Sequence, residues 1–385
     1  MARIKVCQVI NAFHVGGAET VALNIARGLD PDRFESLLVA TIDPSTGDET
    51  EMRRRVREAG VPSVALRHTR AGSPAALWDL YRFFRRHRPD VVHAHNKPAD
   101  YWSWRVAGWA GVRHRLWTRH LVYQDMDRRQ LGRYRDLGAR TPVVLAVSDA
   151  VRDHCITAEG IAPDRVRTVV NGIDTRRFRP RDDAERAAKR RELGLQPHEV
   201  MLLQVGRLAH QKAPDAFLSL IASLRERRPE IRGFLCGAGP LADQLAEPAA
   251  RAGVTLLGLR NDVPELLSAC DLVVSCSRVE GLPLNIMEAM AAGAAFAAPD
   301  LGQIRQLIAT DEAMARGLYP APPAVGDVSA DLVGAWRGTI ETVLADQHWL
   351  AHCRRTGPRI IADDYSLTAM VRTHEDLYAG LVGGD

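Results

Sequence analysis

Short uninterrupted apolar runs alternate with amphipathic stretches along almost the whole chain. KVCQVI (Lys5–Ile10), ESLLVAT, VPSVALR, DVVHAHN (Asp90–Asn96), HRLWTRH (His114–His120), VVLAVSD and RVRTVVNGI are too short for helices, and turn residues bound them. They read as buried strands of a parallel sheet. Between them, ETVALNIARGL, MRRRVREAG and LWDLYRFFRRHR repeat apolar residues at helical spacing. The alternation predicts an α/β architecture. From 174 to 199 apolar residues almost vanish, and VMLLQVGRL (Val200–Leu208) then restarts the pattern with IRGFLCGAG, VTLLG, DLVVSCS and AAFAAPD. We expect a first domain over 1–175, a charged linker over 176–199, a second domain over 200–365 and a closing amphipathic helix over 366–385. With 385 residues the chain is too long for one core. The polar stretch LVYQDMDRRQLGRYRDLGAR is expected to be irregular.

The six cysteines lack paired spacing and mostly sit in apolar runs, so they read as reduced core residues. No apolar run reaches the roughly 18 residues of a membrane helix, and the amino terminus reads as a strand instead of a signal peptide. The expected location is the cytoplasm. The net charge of +4 hides an asymmetry: residues 1–180 hold 30 Lys+Arg against 20 Asp+Glu, and residues 181–385 hold 21 against 27. A basic front half suits an anionic partner, such as a membrane's inner face or a phosphorylated acceptor. LWDLYRFFRRHR, with Arg82, Arg85, Arg86 and Arg88 beside its apolar residues, is open to two readings: a helix packed on the sheet, or one that touches anionic head groups. No zinc-finger, RNP-like or recognition-helix pattern points to nucleic acid.

The densest chemistry lies in VEGLPLNIMEAMAAG (Val279–Gly293), which follows the strand DLVVSCS. Glu280 and Gly281 form the turn, Pro283 suits a helix start, and Glu288 lies roughly two turns past Glu280. The first amides, Leu284 and Asn285, stand at the positive helix end and can hold a diphosphate, while the carboxylates hold sugar hydroxyls. VGRLAHQKAP places Arg207 and Lys212 between a strand and a helix, a fork and a point charge suited to a diphosphate. Only four of the 51 basic residues are lysines, so Lys212 and Lys97 stand out. Gly16 and Gly17, and Gly237 in CGAGPL, allow close approach of backbone to an anion. His95 and Lys97 leave the carboxyl end of a strand, where open α/β sheets bind ligands. His93 and His95 form a two-residue metal pair without a third ligand nearby. His120 ends its strand as a general base or polar contact, or as a structural histidine. Asp125 and Asp127 make a D-x-D outside the usual context for a metal.

Taken together, GGAE (Gly16–Glu19), VHAHN with Lys97, SDAVRDH, VVNGIDTRRFRP, VGRLAHQK, CGAGPL and EGLPLNIMEAMAAG resemble the retaining glycosyltransferases of family 4 over nearly the whole chain. The resemblance implies the GT-B fold, two Rossmann-like domains facing each other across a cleft, with the closing helix crossing back to the first. It implies a nucleotide sugar held mainly by the second domain, UDP before GDP, and no cofactor or metal. Arg207 and Lys212 match diphosphate contacts, Glu288 the ribose contact, and Glu280 with the amides after Gly281 the hold on the transferred sugar. Gly16 and Gly17 would approach the donor phosphate, His120 would stand near the reacting carbon, and His95 and Lys97 would lie on the acceptor side. After AAPD the family's Gly-Gly and Glu are replaced by Gly302, Gln303 and Gln306, which leaves the sugar open.

The implied reaction moves a hexose or N-acetylhexosamine to an acceptor hydroxyl with retention, in bacterial glycolipid, polysaccharide or natural-product synthesis. The acceptor is not legible in the sequence. Two rivals stay open: a nucleotide-sugar 2-epimerase on a similar scaffold, which would convert donor alone, and a non-catalytic sugar-nucleotide-binding protein, which would bind without turnover.

Overall fold

The computed structural model describes residues 3–43, 50–123 and 126–384, and the chain divides into two compact units. Unit 1 comprises Met1–Gly172 with Leu367–Asp385, and unit 2 comprises Ile173–Ser366.

Unit 1 contains β1 (Ile4–Ile10), α1 (Gly17–Gly28), β2 (Phe34–Ala40), α2 (Glu51–Glu58), β3 (Ser63–Ala65), α3 (Pro74–His87), β4 (Val91–His95), α4 (Ala99–Trp109), β5 (His114–Arg119), α5 (Arg128–Arg140), β6 (Val144–Ala146), α6 (Asp149–Thr157) and β7 (Val166–Thr168). Its strands form one parallel sheet in the order β3-β2-β1-β4-β5-β6-β7. Central β1 is buried from Val6 to Ile10, Gln8 included, because helices cover both faces of a parallel sheet. α3 buries Ala76, Leu80, Phe83 and Phe84 and leaves Arg82, Arg85 and Arg86 exposed, so one face packs and a basic face stays open to solvent. The helix Leu367–Gly383 packs on α1 and β1, where its Glu375 accepts from the Asp30 amide at 2.7 Å.

Unit 2 contains α7 (Asp183–Glu192), β8 (Val200–Val205), α8 (Pro214–Arg225), β9 (Ile231–Cys236), α9 (Ala242–Ala252), β10 (Val254–Gly258), α10 (Val263–Ala269), β11 (Leu272–Val274), α11 (Leu284–Ala291), β12 (Phe296–Pro299), α12 (Gly302–Leu307), β13 (Leu318–Tyr319), α13 (Ala330–Ala345) and α14 (Gln347–Asp364). The sheet is again parallel, in the order β10-β9-β8-β11-β12-β13. The closing helix, α15 (Leu367–Gly383), follows and belongs to unit 1. All six cysteines are free and buried. Among the described residues no helix is long and apolar enough to cross a membrane.

Two local expectations change. The stretch expected as a linker is part of unit 2. Its α7 opens with a capping box between Asp182 and Glu185 and docks on α10 through charge. Arg186 and Arg190 reach Asp271 at 2.6 and 2.9 Å, and Lys189 reaches Asp262 at 2.8 Å. Polarity there reflects an ion-paired interface. The segment expected as irregular carries α5, whose N-cap is Asp127, accepting from the Gln130 amide at 2.8 Å. That carboxylate is engaged as a cap, and Asp125 lies outside the described residues.

Asp271 also accepts from the Met201 amide at 2.7 Å, which ties α7 to the start of β8. Asp271→Ala therefore strips several donors of one acceptor and should cost about 1–3 kcal/mol. The expected outcome is a lower denaturation midpoint with amide exchange rising in α7 before unit 1; unchanged exchange in α7 would refute it.

Candidate functional site

In each sheet the strand order reverses once, between β1 and β4 in unit 1 and between β8 and β11 in unit 2. Right-handed connections then run in opposite directions from the two neighbouring strands. Their outgoing loops part and leave a crevice at the carboxyl ends.

In unit 2 that crevice carries most of the residues singled out above. Lys212, from the loop after β8, meets Glu280, from the loop after β11, with Nζ 2.5 Å from Oε1. The lysine side chain is 20% exposed and the glutamate 6%. The two loops are stitched by backbone as well: the Arg278 amide donates to the Gln211 carbonyl at 2.8 Å, and Gln211 Nε2 to the Val279 carbonyl at 2.9 Å. Gln204 Nε2 donates to the Lys212 carbonyl at 3.0 Å. Arg207 stands exposed on the same loop with no ion pair among the described residues. Pro283 is the N-cap of α11, one position outside the helix, and supplies no side-chain cap. The Leu284 and Asn285 amides accordingly have no acceptor among the described residues, as expected of a first helical turn. Asn285 Nδ2 donates to the Val205 carbonyl at 3.1 Å, holding this helix end against β8. Glu288 lies one turn further, partly exposed.

Gly281 is buried in the turn. Gly237 serves packing: its φ is 148°, and a Cβ there would fall 1.9 Å from the Gly206 carbonyl oxygen. This lets the turn after β9 lie against the loop that carries Arg207. Gln303 is buried and donates to the Glu280 carbonyl at 2.9 Å, so it braces the backbone of the paired glutamate. The Gln306 carbonyl accepts from the Tyr365 hydroxyl at 3.0 Å.

In unit 1, Gly16 is the N-cap of α1 and Gly17 its first residue, after β1. Lys97 lies over the Tyr123 ring, Nζ 3.9 Å from the centroid, and Asn11 Nδ2 holds the Lys97 carbonyl at 2.6 Å. His95 is only 1% exposed and both its ring nitrogens are bonded, to His120 Nε2 at 2.9 Å and Gln8 Oε1 at 2.8 Å. Its expected contact with an acceptor thus gives way to a contact with His120. The metal-pair reading of His93 and His95 also fails on occupancy. His93 binds the Tyr378 hydroxyl and Thr118 Oγ1, both at 2.6 Å. His120 is partly exposed at the end of β5. The residue before it, Arg119, is fully buried and bonded to Asp100 at 2.9 Å and to Glu159 at 2.9 and 2.8 Å, which anchors that strand end.

Sequence reasoning missed Gln8, Gln211 and Tyr378, and it singled out Gln303 without its bracing contact. Gln8 carried a readable signal: an amide in the middle of a strand buried on both faces needs buried partners. The others sit in segments where a polar residue is unremarkable.

Two Rossmann-like domains, one with a cation–carboxylate pair and helix amides without an acceptor among the described residues at its switch point, define a two-domain α/β protein. Residues 15–177 match the family model Glycosyltransferase Family 4, and residues 185–332 match Glycosyl transferases group 1. The chain belongs to these GT-B glycosyltransferases. It is 25% identical over 305 residues, 76% of this chain and 78% of the relative, to the UDP-Gal:alpha-D-GlcNAc-diphosphoundecaprenol alpha-1,3-galactosyltransferase of Escherichia coli. Over 161 residues, 38% of this chain and 37% of the relative, it is 37% identical to a D-inositol 3-phosphate glycosyltransferase of Thermobispora bispora. Among solved structures it is similar to Anabaena Alr3699/HepE in complex with UDP and glucose (TM-score 0.82, 19% identity, 98% of this chain and 100% of that one). It is also similar to WaaG, a glycosyltransferase involved in lipopolysaccharide biosynthesis (TM-score 0.71, 18% identity, 97% and 100%).

Burial favours the neutral form of His93, His95, His120 and His374. His93 and His95 are pushed well below their ordinary 6.5, His374 to about 4 and His120 to about 3, the last aided by His374 and Arg119. The unfolded chain therefore binds more protons below pH 6.5, and stability falls with pH through that window. Each histidine contributes on the order of 1 kcal/mol per pH unit at most. Unit 1 should lose stability steadily between about pH 6.5 and pH 4, read by denaturant midpoints; a flat profile there would contradict neutral burial.

Proposed function

We propose that this glycosyltransferase moves a hexose or N-acetylhexosamine from a nucleotide-diphosphate sugar, a UDP-sugar first, to an acceptor hydroxyl with retention at the anomeric carbon. The observation that carries the donor assignment is the Lys212–Glu280 contact at the switch point of unit 2, 2.5 Å long and largely shielded from solvent. A cation and a carboxylate held together there match the two ends of such a donor, the diphosphate and the sugar hydroxyls. UDP is supported by the name of the Escherichia coli relative and by the ligands of the Anabaena structure.

As the bond from the anomeric carbon to the diphosphate oxygen breaks, charge builds on the phosphate and the sugar becomes oxocarbenium-like. Lys212 and Arg207 neutralise the phosphate, and the Leu284 and Asn285 amides donate to it. Glu280 turns to the sugar hydroxyls and Glu288 to the ribose. The acceptor oxygen bonds the anomeric carbon on the face the phosphate leaves, and its proton passes to the departing phosphate oxygen. No step is assigned to a metal. His120 makes a polar contact near the reacting carbon.

Lys212→Ala should lower turnover about 100-fold or more, measured by donor consumption across a panel of nucleotide sugars with mass-spectrometric detection. Near-normal turnover would remove the assignment. The anomeric proton coupling of the product, read by NMR, should match that of the donor sugar; an inverted coupling would sink retention.

The acceptor belongs to glycolipid, polysaccharide or glycosylated natural-product synthesis, and we place the enzyme in the cytoplasm at the inner face of the membrane. The basis is the face of α3, where Trp78 is 59% exposed and stacks on Tyr81 beside exposed Arg82, Arg85 and Arg86. An aromatic pair among cations suits anionic head groups. The protein should sediment with vesicles of anionic phospholipid and stay in the supernatant with zwitterionic ones, and Trp78→Ala with Arg85→Ala should weaken this about tenfold or more. Equal binding to both vesicle types would overturn the reading.

A further inference from the structure

The buried polar chain behind His120 assigns the donor in each of its bonds. Gln8 turns its amide nitrogen to the Tyr378 hydroxyl at 3.0 Å and its carbonyl oxygen to His95 Nε2 at 2.8 Å. A carbonyl oxygen only accepts, so His95 Nε2 carries the proton. A neutral imidazole has one N–H, which leaves His95 Nδ1 as an acceptor. Its neighbour at 2.9 Å is His120 Nε2, which must therefore be the donor. Neutral His120 is then protonated at Nε2, and its Nδ1 holds a lone pair with no bonding partner among the described residues. At the far end, the Tyr378 hydroxyl accepts from Gln8 and donates to His93 Nδ1 at 2.6 Å, and His93 Nε2 donates to Thr118 Oγ1 at 2.6 Å. Each of these bonds then pairs one donor with one acceptor. Gln8, His93 and His95 are at most 1% exposed and Tyr378 is fully buried, so water does not compete for these bonds.

We propose that Tyr378, in the closing helix, is a positioning residue that works through Gln8 and His95 to hold His120 as the Nε2–H tautomer, with Nδ1 open to accept a hydrogen bond from a substrate hydroxyl. With its own proton on His93 Nδ1, the Tyr378 hydroxyl is left to accept, which suits the nitrogen end of the Gln8 amide. Turning that amide over would reverse the donors in sequence and leave His120 with a proton on Nδ1, unable to accept there. The closing helix thus contributes to the chemistry at the end of β5 through four residues that belong to one unit. Burial keeps the Tyr378 phenol protonated and the histidines neutral, the states the arrangement needs. The role of Nδ1 in transfer rests on the proposed function; the tautomer does not.

The full-length protein labelled with 15N-histidine decides it. Long-range proton–nitrogen correlation spectra report the tautomer of each ring, and loss of one pattern in His120→Gln assigns His120. The expected wild-type pattern is a protonated Nε2 and a pyridine-like Nδ1. Tyr378→Phe should mix the two His120 tautomers and lower kcat on the order of tenfold with KM for the donor unchanged. Gln8→Met, which removes both amide contacts, should do the same. A wild-type His120 protonated at Nδ1 overturns the proposal, and so does an unshifted pattern with unchanged kcat in a folded Tyr378→Phe. Should either variant fail to fold, the wild-type spectrum still settles the tautomer. Full transfer by His120→Ala would instead remove His120 from the proposed reaction and leave the tautomer result standing.

Discussion

The reversal of strand order between β8 and β11 constrains the rest of unit 2. Neighbouring parallel strands whose connections depart in opposite directions cannot have their outgoing loops cover one another. Backbone amides and charged side chains end up facing a crevice there, and something must satisfy them. In this protein the charges of Lys212 and Glu280 satisfy each other, with Gln211, Gln204 and Asn285 stitching the loops from behind, while the Leu284 and Asn285 amides have no acceptor among the described residues. A pair so shielded is costly to desolvate. Its placement is weak evidence for a device of stability and is consistent with the proposed site for an anion and a set of hydroxyls.

Unit 1 meets the same constraint differently. Its reversal lies between β1 and β4, and the strand ends there hold neutral rings and amides instead of an ion pair. His93 and His95 alternate on β4 with Val92 and Ala94, so both rings project to one face, where Gln8 of β1 and Thr118 of β5 lie alongside in register. The helix covering that face is the last of the chain. A buried ionic group stands beside Thr118 in sequence, where Arg119 lies between Asp100 and Glu159 with no exposure to solvent. The rings are thus held by directional bonds, while the strand end that carries His120 is held by a buried ionic cluster.

Charge density misled where it was read as solvation. The stretch from 176 to 199 is dominated by charged residues, yet Arg186, Lys189 and Arg190 find carboxylates just beyond the two ends of α10. A helix with no apolar stripe can dock when its partner surface carries the complementary charges, and composition does not reveal the partner. Asp127, in a D-x-D already set outside the usual context for a metal, caps a helix.

The sequence alone determined the alternation of strands and helices, the division into two α/β units, and the segments that end at the crevices. Those follow from local periodicity, from the turn chemistry of glycine and proline, and from motifs that stay contiguous: Arg207 and Lys212 in one loop, Glu280 and Glu288 in one turn and helix. Only the tertiary structure decided what each residue meets. Lys212 and Glu280 are 68 positions apart, and Gln8 and Tyr378 are 370 apart. Their pairing depends on strand order and on which face the closing helix covers, and neither is written in the neighbours of any single residue. The roles of His95 and Gln303 changed for the same reason. A side chain at the end of a strand can turn outward to a ligand or inward to a bond, and the choice belongs to whatever the fold brings beside it.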